Sequence, residues 1–281
     1  MGTLYIVGTP IGNLEDISLR ALRTLREVDL IAAEDTRRTR KLLAHYDIKT
    51  PLTSYHEHNK LAKLDSLLET LREKDVALVS EAGMPGLSDP GYELVRAAIE
   101  AGIPVVPIPG PSALVTALVV SGLPTDSFLY LGFLPRRRGE RRRLLSSIAE
   151  ERRTIIAFEA PHRLLASLED IREVLGNRRI AVARELTKMF EEVIRGSLNE
   201  VIQHFSETLP RGEFTLVIEG AKEVVWEEER VREELGRLLA SGVEGKEAVK
   251  QVARVAGWPR REVYKVWLDI RDAHCRGGGV L

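Results

Sequence analysis

The stretch VALVSEAGMPGLSDPGYELVRAA, residues 76–98, changes character twice within 23 positions. Val76 to Val79 is a short, unbroken apolar run, the pattern of a strand covered on both faces. Residues 80–91 then gather Gly83, Gly86 and Gly91 with Pro85 and Pro90. Glycine permits positive φ and close approach of another group to the main chain, while proline stiffens the path. From Tyr92 the apolar residues recur at helical spacing. A strand ending in a stiff, glycine-rich loop before a helix is one unit of an α/β sheet. Open sheets of this kind bind ligands outside the carboxyl ends of their strands.

The same rhythm runs along most of the chain. Apolar runs recur at 3–8, 29–34, 76–81, 104–110, 127–133, 154–160, 179–185 and 213–220. Between them lie amphipathic stretches such as SLRALRTLREV, LAKLDSLLETLREK and LLASLEDIREVLG. The alternation predicts an α/β protein with largely parallel sheets. Turn residues accumulate near 121–127, so the reading is an N-terminal half at 1–120 and a second half at 121–222. Strand signals stop after Gly220, and 225–281 reads as a small helical module that ends in a frayed RGGGV.

The totals narrow the class. With 281 residues, 44% hydrophobic and 30% charged, the composition is that of a globular protein. A formal net charge of −1 means that any affinity for nucleic acid must come from local Lys and Arg clusters. The single Cys275 allows neither a disulfide framework nor a cysteine zinc site within one chain, which fits a reducing cytoplasm. MGTLYIVG lacks the pattern of a signal peptide, and the apolar runs are shorter than the roughly 18 residues of a membrane span.

Two further turns accompany the opening loop. VGTPIGNLED, 7–16, follows the first strand but matches neither G-x-G-x-x-G nor a phosphate loop. In IPGPSALVTALVVSG, 108–122, a strand runs into PGP and Ser112 stands at a helix start, where free N–H groups attract a carboxylate or phosphate. Three such turns at three strand ends within 115 residues predict one shared small-molecule cleft.

Taken together, VGTPIGNLEDISLRALRTLREVDLIAAEDTR, TSYHEHN, VSEAGMPGLSDPGYELV, PGPSALVTAL, GFLPR, FEAPHRLL, ARELTK and EFTLVIEG resemble the ribosomal RNA small subunit methyltransferase I family, a branch of the tetrapyrrole methylase superfamily. The resemblance covers about residues 2–222, and the tail resembles the helix-turn-helix segment that ends members of that family. It implies two α/β halves with S-adenosyl-L-methionine folded in the cleft between them, commonly in a homodimer. It also implies methyl transfer to the ribose 2′-oxygen of a cytidine in the decoding region of 16S rRNA, free or in the small ribosomal subunit. By family position Pro10, Gly83, Met84, Leu87, Ser112 and Ala113 would bind the cofactor from the first half, and Phe158, Arg184, Phe214 and Thr215 from the second. The sequence departs from the wider superfamily in two places. Gly8-Thr9-Pro10 is shorter than the usual G-x-G-P, and Gly83-Met84-Pro85 replaces the common G-D-P, so an aspartate contact to the cofactor is not implied.

Methyl transfer to a hydroxyl needs an in-line approach and a way to remove the proton, and it needs no metal. The candidates are Glu81 and Asp89 in the opening loop and Glu185 with Lys188 in ARELTK. Asp35, Arg37, Glu159, His56 and His58 are further polar groups near the strand ends. Asp89 precedes Pro90 and equally suits a helix cap or Asx-turn. Glu159 and Glu185 equally suit pairing with Arg163 or Arg184. His56-Glu57-His58 is not H-E-x-x-H, and contact with RNA or a bond to Asn59 is the expectation there.

PRRRGERRR, 135–143, places six arginines in nine positions: Arg136, Arg137, Arg138, Arg141, Arg142 and Arg143. Following GFLP, they are expected at the cleft mouth, where guanidinium groups suit an RNA backbone. The alternative is a solvated helix face. Arg260, Arg261 and Lys265 open a second helix in the tail and are a second candidate RNA contact, the alternative being a helical pair that packs on the body or on a partner subunit. Two other functions stay open: methylation of a tetrapyrrole, small molecule or protein by the same superfamily, and a non-catalytic RNA-binding role in ribosome assembly.

Overall fold

The structure is a computed structural model that describes residues 1–222 and 226–277, with side chains through Arg271 in the last helix. The expected start of the tail at Val225 and its frayed end from Gly278 onward lie outside the described residues. The chain forms two compact units, Met1–Ala221 and Lys222–Leu281.

The first half of the larger unit runs β1 (Leu4–Val7), α1 (Leu19–Glu27), β2 (Leu30–Ala33), α2 (Thr36–His45), β3 (Leu52–Ser54), α3 (Lys60–Leu71), β4 (Val76–Val79), α4 (Tyr92–Glu100), β5 (Val105–Ile108) and α5 (Ala113–Ser121). The strands pair in the order β3-β2-β4-β1-β5, all parallel. All four residues of β4 are buried because helices cover both faces. Helix α1 shows how local chemistry sets the ends: the Ser18 hydroxyl accepts from Ala21 N, and Ala21, Leu22 and Leu25 form one buried face.

The second half runs β6 (Phe128–Phe133), α6 (Arg138–Ser147), β7 (Thr154–Glu159), α7 (Leu164–Leu175), β8 (Arg179–Arg184), β9 (Glu192–Ser197), α8 (Leu198–Glu207) and β10 (Phe214–Ile218). The order is β6-β7-β10-β8-β9. This corrects the expectation of a largely parallel sheet, because only β6 and β7 run parallel, whereas β10 opposes β7 and β8, and β9 opposes β8. The cause is the turn after β8. It reverses the chain into β9, α8 returns the chain to the end where β9 began, and β10 therefore runs in the direction of β9, entering between β7 and β8 antiparallel to both.

One face of the second sheet is closed by Leu145, Leu168, Ile171, Val201 and Phe205 from α6, α7 and α8. The other receives α5 from the first half, with Leu114, Ala117 and Leu118 packed on Ile156, Ala181, Ala183 and Val217. The smaller unit holds α9 (Glu228–Ala240), α10 (Gly245–Ala256) and α11 (Arg260–Gly277) around Val231, Leu235, Val249, Val252 and Val263. Gly257, at φ +68°, ends α10 in the left-handed conformation, and the chain restarts as α11 three residues on.

Helices α6 and α7 are clamped by charge. Asp170 is 1% exposed and accepts from Arg141 Nε at 2.9 Å and Nη2 at 2.5 Å, from Arg138 at 2.9 Å and from Arg142 at 3.3 Å. Burial pushes the Asp170 pKa up, but hydrogen bonds from Arg138 and Arg141 outweigh it and hold the group below the ordinary carboxylate value. Arg141 is itself 4% exposed, so removing it would strand a buried charge. Arg141→Ala is expected to lower the unfolding free energy at pH 7 by about 3 kcal/mol in urea titration, and Arg143→Ala by under about 0.5 kcal/mol. Equal losses would contradict the clamp.

Candidate active site

The carboxyl ends of β1, β2, β4 and β5 face the second sheet across a cleft of about 350 Å³. The three turns picked out in the sequence are tied together at its base. Thr9 N donates to Gly83 O at 3.0 Å and Gly83 N to Thr9 O at 3.1 Å, joining the first turn to the loop after β4. A Cβ on Gly110 would lie 2.8 Å from Gly8 O, so the turns after β1 and β5 touch through glycine backbone.

The cleft is lined by Gly83, Met84 and Leu87 of the loop, Ser112 and Ala113 at the start of α5, and Phe158, Phe214 and Thr215 of the second sheet. Two residues expected beside them do not line it. Pro10 stands next to Ile11, which takes the lining position. The Arg184 guanidinium donates to Arg211 O at 2.8 Å and Glu192 at 3.3 Å instead of entering the cleft. At α5 no side-chain bond is made by the N-cap Ser112, which leaves the first-turn N–H groups for a ligand.

Five carboxylates line the cleft, Glu34, Glu81, Asp89, Glu159 and Glu213, and none of the lining residues is Lys, Arg or His. Their surroundings differ. Glu159 is buried and fully engaged, accepting from Ser167 Oγ at 2.5 Å and Ala160 N at 2.7 Å and pairing with Arg163 at 2.6 Å. Glu81 is exposed and pairs with Arg38, and its N–H donates to Glu34 at 3.1 Å. Asp89 is half-buried. Burial, then the charges of Glu34 and Glu81, push its pKa up to about 7, against a hydrogen bond to Ser80 that lowers it. The helix-cap alternative for Asp89 fails, because Gly91 occupies the N-cap of α4 with no side-chain cap bond.

Glu185 and Lys188, expected among catalytic groups, do not line the cleft. They pair at 2.9 Å, Lys188 also reaches Glu213 at 3.1 Å, and Glu185 accepts from Glu213 N at 2.9 Å. The cluster pins a loop in which Glu185 and Thr187 hold φ at +50° and +64°. Asp35 caps α2, accepting from Arg37 and Arg38 N–H groups, and the Arg37 bonds hold its pKa below the ordinary value. The His56 N–H donates to Asn59 Oδ1 at 2.8 Å, the local bond expected there.

The arginine cluster divides. Arg141 is corrected from an RNA contact to a buried partner of Asp170, and Arg138 and Arg142 bind the same carboxylate and Glu173. Arg136, Arg137 and Arg143 remain exposed. In the smaller unit Arg260 and Arg261 are exposed at the start of α11, and Lys265 pairs with Glu262 at 2.9 Å. Glu34, Tyr130 and Phe133 line the cleft without having been singled out. Glu34 ends β2 as Glu81 follows β4, a signal present in the sequence. Among the described residues no helix is long and apolar enough to cross a membrane.

The fold is similar to that of two solved structures. One is uroporphyrin-III-C-methyltransferase from Thermus thermophilus, with TM-score 0.53, 24% identity and 77% of this chain and 94% of that one covered. The other is the methyltransferase CobJ, with TM-score 0.58, 19% identity and 79% and 95% covered. The family described as Tetrapyrrole (Corrin/Porphyrin) Methylases matches residues 3–202, and the chain belongs to it. Within that family it is similar to proteins named ribosomal RNA small subunit methyltransferase I. That of Halalkalibacterium halodurans is 51% identical over 95% of this chain and 94% of the relative. That of Synechocystis sp. is 51% identical over 96% and 99%. That of Thermotoga maritima is 55% identical over 78% and 99%.

The raised Asp89 pKa carries a consequence for stability. Because the folded value lies above the unfolded carboxylate value, the native state holds this proton more tightly, and the contribution of Asp89 to stability falls as pH rises from about 4 through 7. Asp89→Asn has no such slope. Urea unfolding should show the variant gaining about 1–2 kcal/mol on wild type between pH 4 and pH 8; a gap constant with pH would refute the shift.

Proposed function

We propose that the protein is an S-adenosyl-L-methionine-dependent methyltransferase that acts on the ribose 2′-oxygen of a cytidine in the decoding region of 16S rRNA. The observation that carries this reading is the near-complete alignment, at about half identity, with relatives named for methylation of small-subunit ribosomal RNA. The separation of charge in the larger unit supports it.

The cofactor is a sulfonium cation with an ammonium and a carboxylate, and it supplies an activated methyl group on a good leaving group. Five acidic side chains and no basic one suit its positive charges, the uncapped first turn of α5 suits its carboxylate, and Phe158, Phe214 and Leu186 offer apolar surface to an adenine. Glu34, Ser112, Ala113, Phe158 and Phe214 would therefore hold it. The same acids disfavour phosphate inside the cleft, which leaves the RNA backbone to Arg136, Arg137 and Arg143 outside it.

Asp89 takes the hydroxyl proton in this reading. It is half-buried in the cleft wall, and its pKa of about 7 matches a base that works near neutrality, whereas Glu81 is held by Arg38. Localisation in the cytoplasm and a homodimer complete the proposal. The outer side of α5 leaves Val115 and Val119 at 50% and 64% exposure, an apolar surface for a second copy. The alternative of a tetrapyrrole substrate has only the distant fold likeness behind it.

Incubation with tritiated methyl donor and unmodified small ribosomal subunits should label the RNA at one ribose, and label in a porphyrinoid with none in RNA would reject the reading. Asp89→Asn should reduce kcat about 100-fold with little change in cofactor Kd, and Glu81→Gln under about tenfold. Replacing Arg136, Arg137 and Arg143 together with Ala should flatten the salt dependence of RNA binding by about two to three charges while sparing cofactor affinity. An unaltered slope would remove these residues from the interface.

A further inference from the structure

Strand β6 does not keep step with its neighbour. Tyr130 pairs with Ile156 and Phe133 with Phe158, so three steps on β6 stand against two on β7. Gly132, at φ +68°, sits in the extra step. In a regular strand, residues three apart point to opposite faces. The bulge cancels that alternation and brings both Tyr130 and Phe133 to the cleft, which both line.

The re-aimed ring is braced from within and open outside. Phe133 meets Phe158 edge to face at 5.5 Å, and Phe158 meets Tyr130 at 5.4 Å. The Tyr130 hydroxyl lies 2.6 Å from Ser88 Oγ across the cleft. Leu134, next in sequence, is buried and donates its N–H to Phe158 O at 3.2 Å, which fixes the chain on that side. Phe133 nevertheless remains 56% exposed. A large ring held rigidly at the rim of a cleft, with the exposed Arg136 and Arg137 three and four residues further on, combines a stacking surface with phosphate partners.

We propose that Phe133 is the platform on which the base of the target nucleotide stacks, splayed from its RNA strand so that its ribose enters the cleft. The inference rests on the RNA-methyltransferase reading above. An unpaired nucleobase fits better than an apolar peptide because the exposed surface is a single flat ring, followed three and four residues later by exposed guanidinium groups. Phe133 acts by positioning, and the chemistry belongs to the groups deeper in the cleft.

The test compares wild type, Phe133→Leu and Phe133→Trp by methyl transfer to unmodified small ribosomal subunits, with S-adenosyl-L-methionine affinity measured separately by calorimetry and folding by thermal melting. Phe133→Leu keeps apolar volume but loses the flat face. It should raise KM for the subunits about tenfold and leave the cofactor Kd within about twofold, and Phe133→Trp should restore the wild-type KM. Phe133→Leu with wild-type KM would overturn the inference alone. A loss that appears in the cofactor Kd instead would assign the ring to the cofactor and overturn it equally. Failure of wild type to methylate subunit RNA would overturn both the inference and the reading on which it rests.

Discussion

Helix α5 is the element on which the arrangement depends. ALVTALVVS is apolar on every side, so no orientation of the helix leaves it comfortable on a solvated surface. Its inner side is buried on the second sheet, where Ala181 and Ala183 keep the strand surface low and allow Leu114 and Leu118 close contact. Because α5 follows β5 after only four residues, burying it also fixes the distance between the two sheets. The cleft is what remains between them. The same placement aims the uncapped start of the helix into that space, so packing and ligand recognition are set by one element.

The second organising constraint is electrostatic. Acids line the cleft and no arginine does, but the six arginines of PRRRGERRR are not equivalent. Asp170 on α7 draws Arg138, Arg141 and Arg142 inward and fastens α6. One buried carboxylate thereby orients the helix that leaves Arg136, Arg137 and Arg143 in solvent. Pairing with Asp170, and for Arg141 burial as well, separates the arginines that fasten α6 from those left in solvent.

Much of this was legible in the sequence, for physical reasons that also mark where the reading stops. Each of the eight apolar runs holds a strand, because strands covered by helices on both faces are continuously apolar. EVIRGS, 192–197, at a sheet edge, has only Val193 and Ile194 as apolar residues and shows no such run, so β9 and the reversal it causes were invisible. Arg141 looked like its neighbours because its partner lies 29 residues away. Phe133 was hidden by the period of two that reads a strand correctly everywhere except at a bulge.

The loop that decides the fold is also the one held least by its own sequence. Gly83, Gly86 and Gly91 take positive φ without penalty, but Ser88 does so at +66° with a side chain, at a cost of about 1 kcal/mol. Its hydroxyl meets Tyr130 of the opposite half at 2.6 Å, a bond of about the same size, and a Cβ on Gly132 would already touch that oxygen at 3.4 Å. The strain is therefore offset only when the second sheet is in place. Asp89 is the next residue, half-buried and set beside Glu34, Glu81 and Ser80 of the first half. A carboxylate in a solvated loop would titrate at its ordinary value; this one is pushed up by burial and then by the charges of Glu34 and Glu81, which end or follow neighbouring strands of the first sheet.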